Sequence, residues 1–134
     1  MGLSSATELI VNFLTSRQLL PGSWANAVTN ALCSIQTATA STTQTQAGGT
    51  AITSASAAIT TGNANDAVRL PKGYAGLEVW IVNSGAEAAQ VFGYGDDTIN
   101  SVATATGVSQ NAATVTIYKV NSVSSAGVAN WVSK

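Results

Sequence analysis

The stretch "GLEVWIVN" (residues 76–83) decides the fold class, because its side chains alternate with a period of two. One face of an extended chain would carry only apolar side chains, namely Leu77, Val79 and Ile81. The opposite face would carry Glu78 and Trp80. A β-strand explains this alternation, and Trp80 makes the second face partly apolar as well. We therefore expect either a central strand or a strand covered by a neighbouring chain.

The same period recurs across residues 50–134. In "ATVTIYKV" (113–120), Val115 and Ile117 fall opposite Thr114, Thr116 and Tyr118. Gly-rich turn signals separate short β-branched runs. The pattern predicts about eight strands, near 50–53, 57–61, 66–70, 76–83, 88–94, 98–105, 113–119 and 127–132. Such a chain is typical of a mainly β fold, and eight strands favour an antiparallel, jelly-roll-like sandwich.

Residues 1–35 have a helical period instead. "SATE" (5–8) matches a capping box, and Pro21-Gly22 ends the first helix. Ser23 is suited to cap a second helix. The pattern predicts a helical hairpin with an apolar stripe, formed by Leu9, Ile10, Phe13, Leu14, Trp24, Val28, Leu32 and Ile35. We take most of this stripe, together with Trp80, as a candidate subunit interface.

The segment "QTATASTTQTQAGG" (36–49) separates the two regions. It contains no charge and no large apolar side chain, so it is expected to be a linker or an extended arm. The alternation of Thr and Ala at its start would also allow an edge strand beside a partner. The predicted organisation is therefore a helical segment (1–35), a linker or arm (36–49) and a β-sandwich domain (50–134).

Composition excludes several classes of function. Only 8% of the residues are charged, compared with about 25% in an average soluble domain. The basic residues are scattered, at Arg17, Arg69, Lys72, Lys119 and Lys134, so we expect no nucleic-acid binding. No apolar run reaches the roughly 18 residues that a membrane helix needs. Because the N-terminus lacks the pattern of a signal peptide, we expect a protein made and used without secretion.

"VFGYGDDTIN" (91–100) is the stretch that most resembles a chemical site. Asp96 and Asp97 are adjacent, and adjacent side chains of an extended chain point apart, so the two carboxylates are poorly placed to hold one ion. Gly93 and Gly95 allow unusual backbone angles, and Asp and Asn stabilise turns. A turn is the favoured interpretation, with no metal and no cofactor.

Catalysis has few candidate residues. The chain has no histidine and a single cysteine, Cys33, so a Ser-His or Cys-His pair is impossible. A carboxylate pair is conceivable, drawn from Glu78, Glu87, Asp66, Asp96 and Asp97, but outward-facing solubilising residues explain these acids better. We expect that the protein is not an enzyme. Trp131, close to the C-terminus, is expected to anchor the last strand.

Three stretches carry a resemblance to a known class: "ANDAVRLP" (64–71), "VNSGAEAAQVFGYGDDTIN" (82–100) and "TIYKV" (116–120). Their pattern is a Leu-Pro strand end, a Val-Asn-x-Gly-Ala turn, a Val-Phe strand and a Gly-Asp-x-Ile-Asn turn, the last with one extra residue here. The region resembles small structural proteins of tailed-bacteriophage particles, especially head decoration or cement proteins. The match covers less than half of the chain.

That resemblance implies a jelly-roll-like module that clamps capsid subunits as a homo-oligomer. Its partners would be the major capsid protein or other virion proteins, and its location the virion, assembled in the host cytoplasm. The resemblance supplies no catalytic residues. The alternative is a fibre or tail β domain that binds a host-surface glycan through Trp80, Tyr94 or Trp131.

Overall fold

The computed structural model describes residues 34–134, which consist of strands, turns and loops. The strands are β1 (Ile35–Thr39), β2 (Thr50–Ala51), β3 (Ser56–Thr60), β4 (Asp66–Arg69), β5 (Glu78–Asn83), β6 (Ala89–Phe92), β7 (Thr98–Ile99), β8 (Val108–Gln110), β9 (Thr114–Val123) and β10 (Ala129–Ser133). Within this range, no helix is long and apolar enough to cross a membrane. The predicted helical hairpin lies almost wholly outside the described residues.

The strands form two mixed sheets. The larger has the order β1-β3-β5-β9-β10-β7, and the smaller has the order β2-β4-β6-β8. The prediction of a mainly β fold is confirmed, but the prediction of antiparallel sheets is wrong. Strands β1, β3 and β5 pair in parallel, as do β2, β4 and β6, and β7 with β10.

The parallel pairing follows from the path of the chain. From β1 to β6 the chain changes sheet at every step, so neighbours within a sheet are separated by one full circuit and run in the same direction. The antiparallel pairs are β5 with β9, β9 with β10, and β6 with β8. Sequence alternation shows which side chains share a face, but it does not distinguish parallel from antiparallel pairing of the strands.

Each of the eight predicted strands overlaps an observed strand, and β1 and β8 are additional. Strand β7 is much shorter than predicted, because the backbone after it is not extended. Asn100, Ser101 and Ala105 all have positive φ angles, at 52°, 60° and 59°. These angles belong to the left-handed region and end the strand.

The core lies between the two sheets. The larger sheet contributes Val79, Ile81 and Tyr118, and the smaller contributes Val68 and Val91, all of them fully buried. Trp131 in β10 is also fully buried, which confirms its predicted role as an anchor. Burying such side chains is worth about 1.5–3 kcal/mol each.

Buried polar side chains form a hydrogen-bond network at one end of this core. The Gln110 side-chain amide donates to the Ile81 carbonyl at 2.9 Å, and its oxygen accepts from the Tyr118 hydroxyl at 3.1 Å. The Asn83 amide donates to the Glu87 carbonyl at 2.9 Å. Burial raises the pKa of Tyr118, so its hydroxyl keeps its proton and remains a donor. The network satisfies polar groups that would otherwise be costly to bury.

Residues 35–49, which overlap the predicted linker or arm, lie against this β domain. Ile35–Thr39 form β1 at the edge of the larger sheet, and Ala40 belongs to the core. Ser41 then exchanges two backbone hydrogen bonds with Ala67 of the smaller sheet, at 2.7 and 2.9 Å. The Thr-Ala alternation that allowed an edge strand is used here beside β3 of the same chain.

Candidate functional site

The stretch that most resembled chemistry, residues 93–97, is a tight turn. The Asp97 amide donates to the Tyr94 carbonyl at 2.9 Å, which closes the turn. Gly95 has a φ of 55°. A side chain at Gly93 would collide with the backbone of Asp97. Gly93 is therefore required by the close approach of the backbone, and Gly95 is favoured by its left-handed angle, in agreement with the turn interpretation.

The Asp97 carboxylate joins three parts of the chain. Its Oδ2 atom accepts from the Gly73 amide at 2.9 Å and from the Trp131 indole N–H at 3.4 Å. Its Oδ1 atom accepts from the Ala129 amide at 2.8 Å. The side chain is buried, whereas Asp96 beside it is exposed. Protein donors thus engage both oxygens of Asp97, and the two carboxylates point to different environments.

Gln46 braces the same turn from the 36–49 segment. Its side-chain amide donates to the Gly93 carbonyl at 2.9 Å and to the Gly95 carbonyl at 2.7 Å. These carbonyls lie on either side of Tyr94, whose own side chain is 46% exposed. The result is an exposed aromatic ring on a turn that is fixed on both sides.

A groove lies next to this ring. We call it the Tyr94 groove; its volume is about 310 Å³, and it is lined by Ile52, Thr53, Arg69, Leu70, Lys72 and Tyr94 among others. The Arg69 guanidinium carbon lies 5.7 Å from the centre of the Tyr94 ring, within the range of a cation–π contact. Sequence reasoning named Tyr94 as a glycan contact but treated Arg69 and Lys72 only as scattered cations. The signal that could have found them is "RLPK" (69–72) at a strand end.

The outer face of the larger sheet is the second candidate surface. We define the outer face as Ile35, Trp80, Val82 and Val115, which are 66%, 40%, 37% and 56% exposed. Val82 pairs with Val115, and Trp80 pairs with the half-buried Ile117. The alternate residues of β5 point into the core. Four large apolar side chains are therefore presented to solvent by one sheet.

The outer face carries an opposite-charge pair on neighbouring strands. Glu78 of β5 is the register partner of Lys119 of β9. Cross-strand pairs of opposite charge are weakly favourable. Such a pair explains Glu78 as an ordinary sheet residue.

Asp66 is held in a different way from Asp97. Its Oδ2 atom accepts from the amides of Gly62 and Asn63, both at 2.8 Å. Its Oδ1 atom is buried and has no hydrogen-bond partner among residues 34–134. The Asn63 amide, more than any other group, holds the pKa of Asp66 below its ordinary value, and the Gly62 amide adds to the effect while burial opposes it. Asp66 therefore clamps the turn before β4 by accepting from the backbone amides that lie four and three residues before it.

Most residues of the predicted subunit interface precede the part of the chain that the structure describes. Trp80 lies on the outer face, whereas the rest of the proposed interface falls outside the described residues: Leu9, Ile10, Phe13, Leu14, Trp24, Val28 and Leu32. Trp131 is fully buried and is not available to a glycan. Within residues 34–134, no three His, Cys, Asp or Glu side chains gather as a metal site would require.

Comparison of the chain with protein-family models, with curated proteins and with solved structures found no match. Function must accordingly be inferred from the surfaces described above.

Proposed function

We propose that the protein is a structural protein of a tailed-bacteriophage virion that serves as a capsid cement or decoration protein. The outer face is the observation that carries this proposal. Contiguous exposed apolar side chains are typical of surfaces that bind another protein, and Trp is a frequent residue at the energetic centre of such contacts.

The chemistry of the chain suits a packing role. With 8% charged residues and a net charge of -1, it has little long-range attraction or repulsion for other molecules. Its binding energy would come from burial of the outer face against the major capsid protein, another virion protein or a second copy. In a shell, many modest contacts of this kind add together. The helical hairpin and the homo-oligomeric state belong to the same proposal.

We propose that the N-terminal segment adds to this surface. Strand β1 begins at Ile35, which belongs to the outer face. The predicted apolar stripe of the N-terminal segment ends at this same residue. We assign the stripe to contacts with neighbouring subunits, next to the contact made by Trp80.

Binding to particles tests the proposal. Capsids of the encoding phage, assembled without this chain, would be mixed with the purified protein, and the bound fraction would be measured by sedimentation and located by cryo-electron microscopy. Trp80→Ser should weaken binding by about ten- to a hundredfold per site, since burial of such a side chain contributes about 1.5–3 kcal/mol.

Tyr74→Ser is the matched control, because Tyr74 is 64% exposed and does not belong to the outer face. It should bind as the parent does. Absence of the chain from particles, or equal binding by Trp80→Ser and the parent, would contradict the proposed role.

The proposal includes the absence of hydrolase or transferase activity. It follows from the missing histidine and from acids that serve as structural or surface groups. The test is a screen against sugar polymers. A turnover that disappeared in Glu78→Gln or Asp96→Asn would overturn this part.

A fibre or tail domain that binds host glycan is the second candidate. The observation that favours it is the exposed ring of Tyr94 on its braced turn, beside a groove. Binding of the protein to host cells rather than to capsids would favour this candidate over cement.

A further inference from the structure

We propose that the Tyr94 groove binds a carboxylate-bearing sugar, with Arg69 and Lys72 holding the carboxylate and Tyr94 stacking on the sugar ring. This site lies apart from the outer face; it deepens the glycan-binding candidate above and does not rest on the cement role. It gives a binding role to the exposed Tyr94 ring, whose turn is braced by Gln46.

Charge is the first argument. The part of the chain that the structure describes contains four basic residues, and two of them, Arg69 and Lys72, line this groove. Asp96, the acid nearest to Tyr94 in sequence, is not among the lining residues. The carboxylate of Asp97 is buried and engaged by protein donors. The groove is thus a local positive site on a chain of net charge -1.

The geometry of Arg69 is the second argument. Its guanidinium lies over the Tyr94 ring at 5.7 Å, and stacking of this kind restricts a long side chain. A guanidinium offers five donors in a planar fork that matches a carboxylate. None of its donors makes a hydrogen bond to residues 34–134 in the structure. Lys72 at the rim adds a second cation.

Preorganisation is the third argument. Gln46 fixes the carbonyls on both sides of Tyr94, at 2.9 and 2.7 Å. Asp97 accepts from the amide of Gly73, which directly follows Lys72. The Arg69 carbonyl accepts from the Ile52 amide at 2.8 Å. These hydrogen bonds hold the backbone next to Tyr94, Lys72 and Arg69 before a ligand arrives, which lowers the entropic cost of binding.

The size and lining of the groove indicate a sugar. A volume of about 310 Å³ is at the small end of the range for ligand sites, and it suits one or two sugar rings. The exposed Ala51 and the half-buried Pro71 offer apolar contacts for a ring face. The Thr53 hydroxyl donates to the Gln36 side-chain oxygen at 3.3 Å, so it can accept from a sugar hydroxyl. An acidic peptide would use the two cations but would not require the exposed Tyr94 ring.

Glucuronate and glucose are the matched probes, because they differ only in the carboxylate at C6. Each would be titrated into the ¹⁵N-labelled full chain, and amide shifts would be followed by NMR. We expect glucuronate to shift the amides around Thr53, Lys72 and Tyr94, with affinity at least about tenfold higher than that of glucose. A tetrasaccharide containing glucuronate should bind more tightly than the monosaccharide.

Variants test the assigned residues. Arg69→Gln and Tyr94→Ala should each weaken glucuronate binding by about tenfold or more, and Lys72→Gln by less. Arg69→Lys keeps the charge but loses the planar fork, so it should also bind more weakly than the parent. Lys119→Gln is the matched control on the other sheet and should leave the affinity unchanged. The amide spectrum of each variant reports whether the fold is retained. If Arg69→Gln does not fold, the affinity of Lys72→Gln, which changes an exposed side chain, provides the test.

Three results would overturn the proposal: no shift with glucuronate, equal affinity for glucose and glucuronate, or equal weakening by Lys119→Gln. Tighter binding of tetraglutamate than of the glucuronate tetrasaccharide would also overturn it, in favour of an acidic peptide. Particle binding by the groove variants should match that of the parent. Failure of the sugar-binding proposal therefore leaves the cement role intact, and failure of the cement role leaves the sugar-binding proposal intact.

Discussion

The turn at residues 93–97 and the outer face of the larger sheet differ in which of their side chains the fold buries. The turn contains two glycines and two carboxylates, the composition of a chemical site, yet the Asp97 carboxylate is occupied by three donors from Gly73, Ala129 and Trp131. The outer face contains ordinary strand residues, yet Ile35 and Val115 are more than half exposed. The buried carboxylate stabilises the fold here, whereas the apolar side chains of the outer face stay exposed to solvent.

The difference shows that residue type alone is a poor guide to function in a chain with few charges. A carboxylate becomes available for chemistry only if the backbone leaves its oxygens without donors. An apolar side chain becomes available for binding only if its strand exposes a face. Both conditions depend on long-range packing, and each suggests a variant that should affect one region and spare the other.

The largest effect is expected from Asp97→Ala. The change would leave three buried donors without an acceptor, and each such group costs about 1–3 kcal/mol. We expect the free energy of unfolding to fall by at least about 3 kcal/mol, measured by urea denaturation. Asp97→Asn, which keeps one acceptor oxygen, should lose less.

Asp96→Ala is the control for this variant. Asp96 is exposed on the same turn, so its removal should change stability by no more than about 0.5 kcal/mol. Equal losses in the Asp96 and Asp97 variants would refute the structural role assigned to Asp97.

The next effect concerns the apolar surface. Phe13→Asp should weaken particle binding by about ten- to a hundredfold, because the proposed burial of such a side chain against a neighbouring subunit would be worth about 1.5–3 kcal/mol. The stability of the β domain should hardly change. Thr15→Asp, on the opposite side of the predicted helix, is the matched control.

Truncated chains test whether the N-terminal segment is needed for the β domain to fold. The sequence predicts that residues 50–134 fold alone, whereas the structure adds β1 and the core residue Ala40 to the same domain. We expect residues 34–134 to match the full chain in unfolding midpoint and residues 50–134 to be less stable. If residues 34–134 do not fold, the N-terminal segment belongs to the core and its assignment to neighbouring subunits is refuted.

Sequence reasoning recovered the local structure better than the topology. Alternation in β5 correctly separated Val79 and Ile81 from Trp80, since a period of two is a local property of an extended chain. The same period in β9 did not reveal that Tyr118 faces the core and Val115 faces solvent, because both faces of that strand contain apolar residues. Strand direction was missed because no local pattern reports which sheet the chain enters next.

The candidate sites were likewise predicted where the sequence signal is local and missed where it is not. The turn at 93–97 was predicted from glycines and Asp, whose preferences act within a few residues. The Tyr94 groove was not predicted, because Thr53, Arg69 and Tyr94 come from three separate circuits of the chain. Only the pairing of β2 with β4 and of β4 with β6 brings them together.

A smaller effect is expected from Asp66 and pH. Its pKa in the folded chain lies below the ordinary value of 3.8, so its hydrogen bonds stabilise the fold fully above that value. The contribution is lost as the pH falls from about 4 through the folded pKa. The parent should therefore lose more stability than Asp66→Asn between neutral pH and pH 3 in urea unfolding. Parallel losses in the two proteins would mean that Asp66 does not contribute.

The smallest expected effect is the response of the turn to metal. A calcium ion takes about six to eight oxygen ligands, and the turn offers the exposed Asp96 as its one carboxylate not already engaged by protein donors. Addition of calcium or of a chelator should leave the melting temperature of the parent unchanged. The double variant Asp96→Ala with Asp97→Ala should melt earlier for the reasons above, and it too should not respond to chelator. Should that variant fail to fold, Asp96→Ala with Asp97→Asn replaces it. Because any ligand that binds only the folded state raises its stability, a large calcium-dependent rise in the parent that vanished in these variants would show that the turn holds an ion after all.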